Sequence, residues 1–508
     1  MTDLRDPKYA IRKIATLLQR HDDYNAKRQA WATLSDIHKG SSAVMGNIAK
    51  YLPMKPAEEV SVYEGRLKNA SYSPLLANTL RETVNKLTSA PLHVKGGDTP
   101  YWSKIRQSFD GKAQDEKDLI ESIFTYLLYY GTFYAVVYRP DLDTQPTSSA
   151  DDTKLFENGY HSRVKILHPL NVVNWGDDWY LTQDVYKTAQ PLEPETLRCR
   201  WTLYGAYASW VYDVECKATG DAVTHIKVGT EWLSVSDPNM VIDGFIVPHG
   251  LTRCPVITLS LEAHHWVGDL AANQQMRHLR IESQLNESGM IAGSVVRVFT
   301  PTPPIEESAS AIMRRENHDE NPALKMPGAY TLVGNDYKFV ESTGQAIGSL
   351  LALLDKIERY LRAVGSLDFK ASDTSRQSNE SKQTDMSLLE NEMMFLGAKA
   401  VKIYQDLVDN ISEFDGQPRP LVEGLQNYGI NNISVMLEQS VVMESVQPRL
   451  PSVALRLWYT RLATLMTGQT FGAVEEVLQA EVEAIYSQPL EAIVAPPSPP
   501  SVSNSVLV

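Results

Sequence analysis

The sequence predicts an α+β chain built from more than one module. Three observations carry that prediction. Residues up to about 130 repeat apolar side chains at helical spacing. From Arg163 to Phe245, runs of β-branched and aromatic residues dominate instead. From His264 to Phe414 the order is helix, compact insertion, helix, polar loop, long helix. The length of 508 residues agrees, because one compact core rarely grows past ~250–300 residues.

In order, residues 11–18 and 24–37 mix charged and apolar side chains at helical spacing, and Lys39-Gly-Ser-Ser42 breaks the pattern. Pro56 opens a helix to Ala70 with Val60, Tyr63 and Leu67 on one face. Glu58 and Glu59 belong at its start, where the helix dipole favours negative charge. Leu76, Leu80, Val84 and Leu87 align a helix over 75–89. Leu119, Ile123, Tyr126, Leu127 and Tyr130 align another over 115–130, which Gly131 ends. Residues 132–138 read as a buried strand and 141–158 as a polar surface loop. Further strands are expected at 164–167, 204–210, 210–214, 223–228 and 256–259. Residues 1–262 thus form an α/β module, helical first and sheet later.

A helix follows over 266–290, with Gly289 and Gly293 as stop signals. Ser294-Val-Val-Arg-Val-Phe299 is strand-like, and Pro301, Pro303 and Pro304 turn the chain. Residues 329–333 and 337–340 look like two strands around Gly334-Asn335-Asp336. Ile347, Leu350, Leu354, Ile357, Leu361 and Val364 then repeat at spacings of 3, 4, 3, 4, 3, a heptad-like stripe. The polar loop runs over 370–385 and holds Lys370, Arg376 and Lys382. Met386, Leu389, Met393, Leu396, Ala400, Ile403 and Leu407 resume the stripe in a long helix over 386–415. Pro418 and Pro420 mark a break. Helices are expected at 452–466 and 471–485, and the proline- and serine-rich residues 491–508 as a disordered tail.

The chain carries a formal net charge of −14, which argues against tight binding of DNA along a basic face. It leaves room for a wall past which DNA slides. No apolar run approaches the ~20 residues a membrane helix needs. The N-terminus lacks the apolar core of a signal peptide, so the expected site of action is intracellular unless a particle carries the protein out. Cys199, Cys216 and Cys254 are isolated and read as buried free thiols.

Catalytic signatures are missing. No GxxxxGK[ST] occurs, and Gly111-Lys112 lacks the upstream glycine. His264 and His265 are adjacent, a poor spacing for metal on one helix face. Asp141, Asp143, Asp151 and Asp152 lie in a polar loop without a neighbouring base. Tyr101, Trp102, Trp175, Trp179, Trp201 and Trp210 could stack on bases, but no basic residues interleave with them densely, so packing accounts for them better. The expectation is no enzyme, no cofactor and no metal.

Several stretches resemble a tailed-bacteriophage portal protein, the head-to-tail connector, in a phage-derived portal-like family. Trp31-Ala-Thr-Leu-Ser-Asp-Ile-His-Lys-Gly40, Lys50-Tyr-Leu-Pro53 and Tyr63-Glu-Gly-Arg-Leu-Lys-Asn-Ala70 are similar to its N-terminal part. Pro255-Val-Ile257 followed by His265-Trp-Val-Gly-Asp-Leu-Ala-Ala272 resembles the approach to its stem, and Tyr337-Lys-Phe-Val-Glu-Ser-Thr-Gly-Gln-Ala-Ile347 the return from its clip. The resemblance covers about residues 20–415, and its specificity lies in the order of the motifs.

The resemblance implies an α+β portal fold. Its parts would be an α/β wing (1–262), stem helices (263–290 and 344–369), a small α/β clip (291–343), a tunnel loop (370–385), a wing-to-crown helix (386–415) and a mainly helical crown (416–490). It implies a homo-oligomeric ring, usually of twelve copies, at one capsid vertex. Double-stranded DNA would pass through the channel in packaging and ejection. Terminase, a separate ATPase, and then adaptor or tail proteins would dock on it, and major capsid or scaffolding protein would surround it. Lys370, Arg376 and Lys382 would touch DNA. Ile347, Leu350, Leu354, Ile357 and Leu361 would pack subunits in the stem, and Arg314, Arg315, Glu306 and Glu307 would serve clip docking. The alternatives are a non-pore adaptor or minor capsid protein and a nucleic-acid-processing enzyme.

Overall fold

The computed structural model describes residues 12–56, 58–139, 161–188, 195–219, 222–237, 240–249, 251–292, 344–367, 379–426 and 428. The helical part comes first: β1 (Arg12–Lys13), α1 (Ile14–Leu17), α2 (Asp22–Lys39), α3 (Ser41–Gly46), α4 (Ile48–Tyr51), α5 (Val60–Lys68) and α6 (Leu75–Leu87). Next are β2 (Leu92–Lys95), α7 (Pro100–Gln107), α8 (Glu116–Tyr130), β3 (Thr132–Tyr138) and β4 (Arg163–Leu167). A run of antiparallel strands follows: β5 (Val172–Gly176), β6 (Trp179–Thr188), β7 (Thr196–Tyr204), β8 (Ala208–Thr219), β9 (Ala222–Val228) and β10 (Glu231–Ser234). After β11 (Val241–Ile242), β12 (Phe245–Pro248) and β13 (Val256–Ser260) come three long helices, α9 (Val267–Ala292), α10 (Gly344–Gly365) and α11 (Asn379–Asp415), and then β14 (Leu421–Gly424).

Local chemistry explains the helix limits. Asp115 caps α8 by accepting from the Asp118 amide, and Gly131 ends the helix at φ 64°, a conformation glycine adopts without strain. Between them, apolar side chains at helical spacing are buried. Helix α7 was not expected from the sequence, which offered only its aromatics. Thr99 caps it, Pro100 occupies its first turn, and Trp102 and Ile105 are buried. Glu59 stands at the N-cap of α5 as expected. Glu58 instead forms a two-pronged pair with Arg66, at 2.9 and 2.8 Å, which holds its carboxyl below the usual range.

The largest sheet has the order β10-β9-β8-β7-β6-β5, with β12 added to β8. Its two faces separate cleanly. Cys199, Trp201, Trp210, Tyr212 and Ile226 point into the core. On the other face Asp213 accepts from Arg198, Arg200 and Tyr186. The single strand expected over 204–210 is in fact two, because the chain reverses between β7 and β8 with Tyr207 at φ 76°. A second sheet, β13-β3-β4, is antiparallel throughout. Phe133, Ala135 and Val137 of its central strand join the main core, while Tyr134 and Val136 face a smaller cluster with Leu167, Val172 and Val256.

Three expectations about segment limits change. Residues 379–385, read as loop, begin α11. They lack an apolar stripe, which hid them, but Asn379-Glu-Ser-Lys-Gln suits a first helical turn. Gly289 does not stop α9, which runs on to Ala292. Residues 421–424, assigned to a crown, form β14 and pair with β2, Val422 opposite Val94. The chain therefore returns to the first module after the long helix. Residues of α9, α10 and α11 also share one continuous core with α2, α6 and α8, so position 262 divides the chain in order but not in packing.

Candidate functional site

The arrangement that separates this chain from an ordinary α/β module is the hairpin of α9 and α10. Tyr360 reaches the Leu270 carbonyl and Glu358 reaches His278, an order that runs in opposite directions along the two helices. The helices are therefore antiparallel, and the free ends at 292 and 344 lead into one segment, 293–343. Helix α9 is not a free stem. Its side chains are buried at intervals from Val267 to Ser283, among them the polar Gln275, His278 and Ser283.

These polar side chains clamp the hairpin to the first module. The Gln275 carboxamide accepts from the Leu76 amide and donates to the Ser73 carbonyl, both at 2.9 Å, so it completes the start of α6. His278 lies 3.6 Å from Glu282 and 3.4 Å from Glu358, between the two helices. Glu282 also accepts from Ser71 at 2.9 Å. Arg280 donates to the Tyr51 carbonyl at 3.0 Å, and Lys55 pairs with Glu287 at 2.8 Å. At Gly268 the helix runs so close to the Tyr129 carbonyl that a Cβ would stand 2.2 Å from its oxygen. On α10, the Gly365 carbonyl accepts from Thr83 at 2.7 Å.

Helix α11 is tied in at two acidic side chains. Glu116 accepts from Tyr404 and pairs with Arg106, each at 2.6 Å. Burial beside this carboxylate drives the Tyr404 phenol well above its ordinary pKa. Asp415, at the end of α11, accepts from Tyr101, from Arg139 and from both the amide and hydroxyl of Ser162. One carboxylate thus gathers α7, β3 and the start of β4.

No family model and no curated protein matches the sequence. A chain from a solved structure titled "Virion of native gene transfer agent (GTA) particle" aligns with 79% of this chain and 92% of its own length. Identity is 9% and the TM-score 0.33. A likeness of that grade carries no assignment, so the functional reading rests on sequence motifs and geometry.

The stripe expected to pack subunits lies partly within the chain's own core. Leu354, Ile357 and Leu361 are buried inside the chain's own core, Leu361 completely, while Ile347 and Leu350 are half-buried. A heptad stripe declares only that a helix has an apolar partner, and here α9 and α6 are that partner. The outward flank of the hairpin instead carries Leu351, Tyr360 and Leu270, at 51%, 41% and 38% exposure. Lys382 falls in the first turn of α11 rather than in a loop. Lys370, Arg376, Arg314, Arg315, Glu306 and Glu307 lie outside the described residues.

Trp102, Trp201 and Trp210 are buried as packing residues. Cys199 and Cys216 are buried and Cys254 partly so, and burial raises all three thiols, Cys254 to about 12. His265 stacks on Phe395 at 4.3 Å and lies 3.4 Å from Glu392. Among the described residues no group of three or more potential ligands could hold a metal, and no helix is long and apolar enough to cross a membrane. Sequence reasoning missed Gln275, His278, Glu116 and Asp415. Gln275 and His278 gave one readable signal, since both sit where the apolar spacing of α9 calls for a hydrophobic residue.

Proposed function

We propose that this chain is a portal-type subunit of a virion, a ring-forming protein with no enzymatic role. The ring would conduct double-stranded DNA at a capsid vertex and receive first a terminase and then adaptor or tail proteins. The observation that carries the reading is the antiparallel α9–α10 hairpin, embedded at its base and opening at its far end onto one inserted segment. Helix α11 follows and leads the chain back to the first module. The sequence motifs similar to portal proteins occur in the matching order. Subunit contacts belong on the exposed hairpin flank, at Leu351, Tyr360 and Leu270, since the stripe through Leu354 is consumed within the chain.

Light scattering and negative-stain imaging of the purified full-length protein test this reading. The expected result is a particle many times 56.8 kDa with an open centre. A monomer or dimer at all concentrations would overturn it. Closed particles without a hole would favour the non-pore adaptor or minor capsid protein.

A further inference from the structure

A cleft of about 340 Å³ opens where α2 meets two sheets, away from the hairpin. Strand register builds it. Thr132 lies opposite Ser260 and Tyr134 opposite Thr258 on one sheet, and Trp175 lies opposite Tyr180 on the other. The Tyr134 ring centre is 6.3 Å from both Trp175 and Tyr180, so three aromatic rings converge on the cleft. The Thr132 and Ser260 hydroxyls, 3.2 Å apart, and the exposed residue Thr258 line the same space.

Helix α2 supplies the charges, Asp23 and Lys27, one turn apart on the wall of the cleft. Its start is held firmly. The His21 amide donates to the Val173 carbonyl at 3.0 Å, the His21 ring stacks on Trp175 at 4.1 Å, and Tyr24 donates to the Leu170 carbonyl at 3.0 Å. Lys27 is half-buried, and among the described residues it has no ion-pair partner. An ammonium that is not in direct contact with a carboxylate, beside hydroxyl donors and aromatic walls, can receive an anion.

We propose that this cleft binds a small carboxylate carried on a flat apolar body. The edges of Trp175 and Tyr180 give the body an apolar wall on one side, and Lys27 with the hydroxyls of Thr258 and Ser260 holds the carboxylate. One negative charge fits better than two. Asp23 already stands one turn from Lys27, and it repels the second charge of a phosphate ester. The volume lies at the small end of the ~300–1,000 Å³ typical of ligand sites, which sets the ligand near the size of a single substituted ring.

Calorimetric titration of the full-length protein with benzoate, benzamide and phenyl phosphate tests the proposal. Benzoate is expected to bind saturably at one site per chain. Benzamide, the same shape without the charge, should bind about tenfold more weakly, the usual scale of one charge-assisted contact. Lys27→Met should weaken benzoate by a similar factor with the thermal midpoint unchanged, while Lys27→Arg keeps binding. Absence of saturable benzoate binding, or equal affinity for benzamide, would overturn the proposal. So would undiminished binding by Lys27→Met, and tighter binding of phenyl phosphate would reject the single-charge assignment.

Discussion

At the residue scale, buried polar groups join elements that are distant in sequence. Tyr130 places its hydroxyl 3.1 Å from both His38 Nδ1 and His168 Nε2. Burial lowers the pKa of both imidazoles, that of His168 from 6.5 to about 4. The unfolded chain therefore takes up these protons more readily than the folded one. The associated stability is complete above pH 6.5 and is lost as pH falls toward about 4. Thermal midpoints measured across that window should decline in the wild type. The decline should be shallower in His168→Phe, and parallel curves would show that the imidazole is not responsible. Asp415→Ala leaves the buried ends of Tyr101 and Ser162 without their acceptor. It should cost about 1–3 kcal/mol in denaturant unfolding, and a loss under ~0.5 kcal/mol, the scale of an ordinary surface substitution, would deny the junction its weight. None of these partnerships could be read from the sequence. Asp415 stands far along the chain from Tyr101 and from Ser162, and no local spacing encodes such a meeting.

At the element scale, periodicity located what burial enforces. The stripes of α6, α8, α10 and α11 were legible because each helix lays an apolar face on a neighbour. The same signal does not say whose surface the neighbour is, and Leu354, Ile357 and Leu361 are buried within this chain. The two roles separate by mutation. Leu354→Asp places a carboxylate in the core beside α9 and should lower soluble yield or prevent folding. Leu351→Asp alters only the exposed flank. That variant should keep wild-type circular dichroism and thermal unfolding while failing to form rings. Normal rings from it would remove the flank from the subunit contact. Strand pairing was legible only in part. Short runs such as 172–176 and 421–424 show no long alternation, and β2 and β14 make sense only once they meet.

At the scale of the whole molecule, the −14 charge sets the terms for any channel. A strongly attractive lining would hold DNA in place, whereas a near-balanced one permits transit. Over residues 370–382, Lys370, Arg376 and Lys382 stand against Asp373 and Glu380, three basic residues to two acidic ones. Replacing the three basic residues by Ala should leave ring assembly intact and reduce nuclease-protected DNA per particle. Undiminished packaging and retention would show that they do not contact DNA.

The pairing of β2 with β14 also bears on how the chain is made. Val94 leaves the ribosome long before Val422, its strand partner. At ~5–20 residues per second, tens of seconds pass between them. During that time the edge over Leu92–Lys95 is unpaired, and Tyr101, Arg139 and Ser162 await Asp415. Contacts so far apart in sequence form late because a long loop must close first. The first module is thus finished only after α11 has been synthesised. A ring of the kind proposed would therefore draw on chains of which nearly all of the described sequence has already been made.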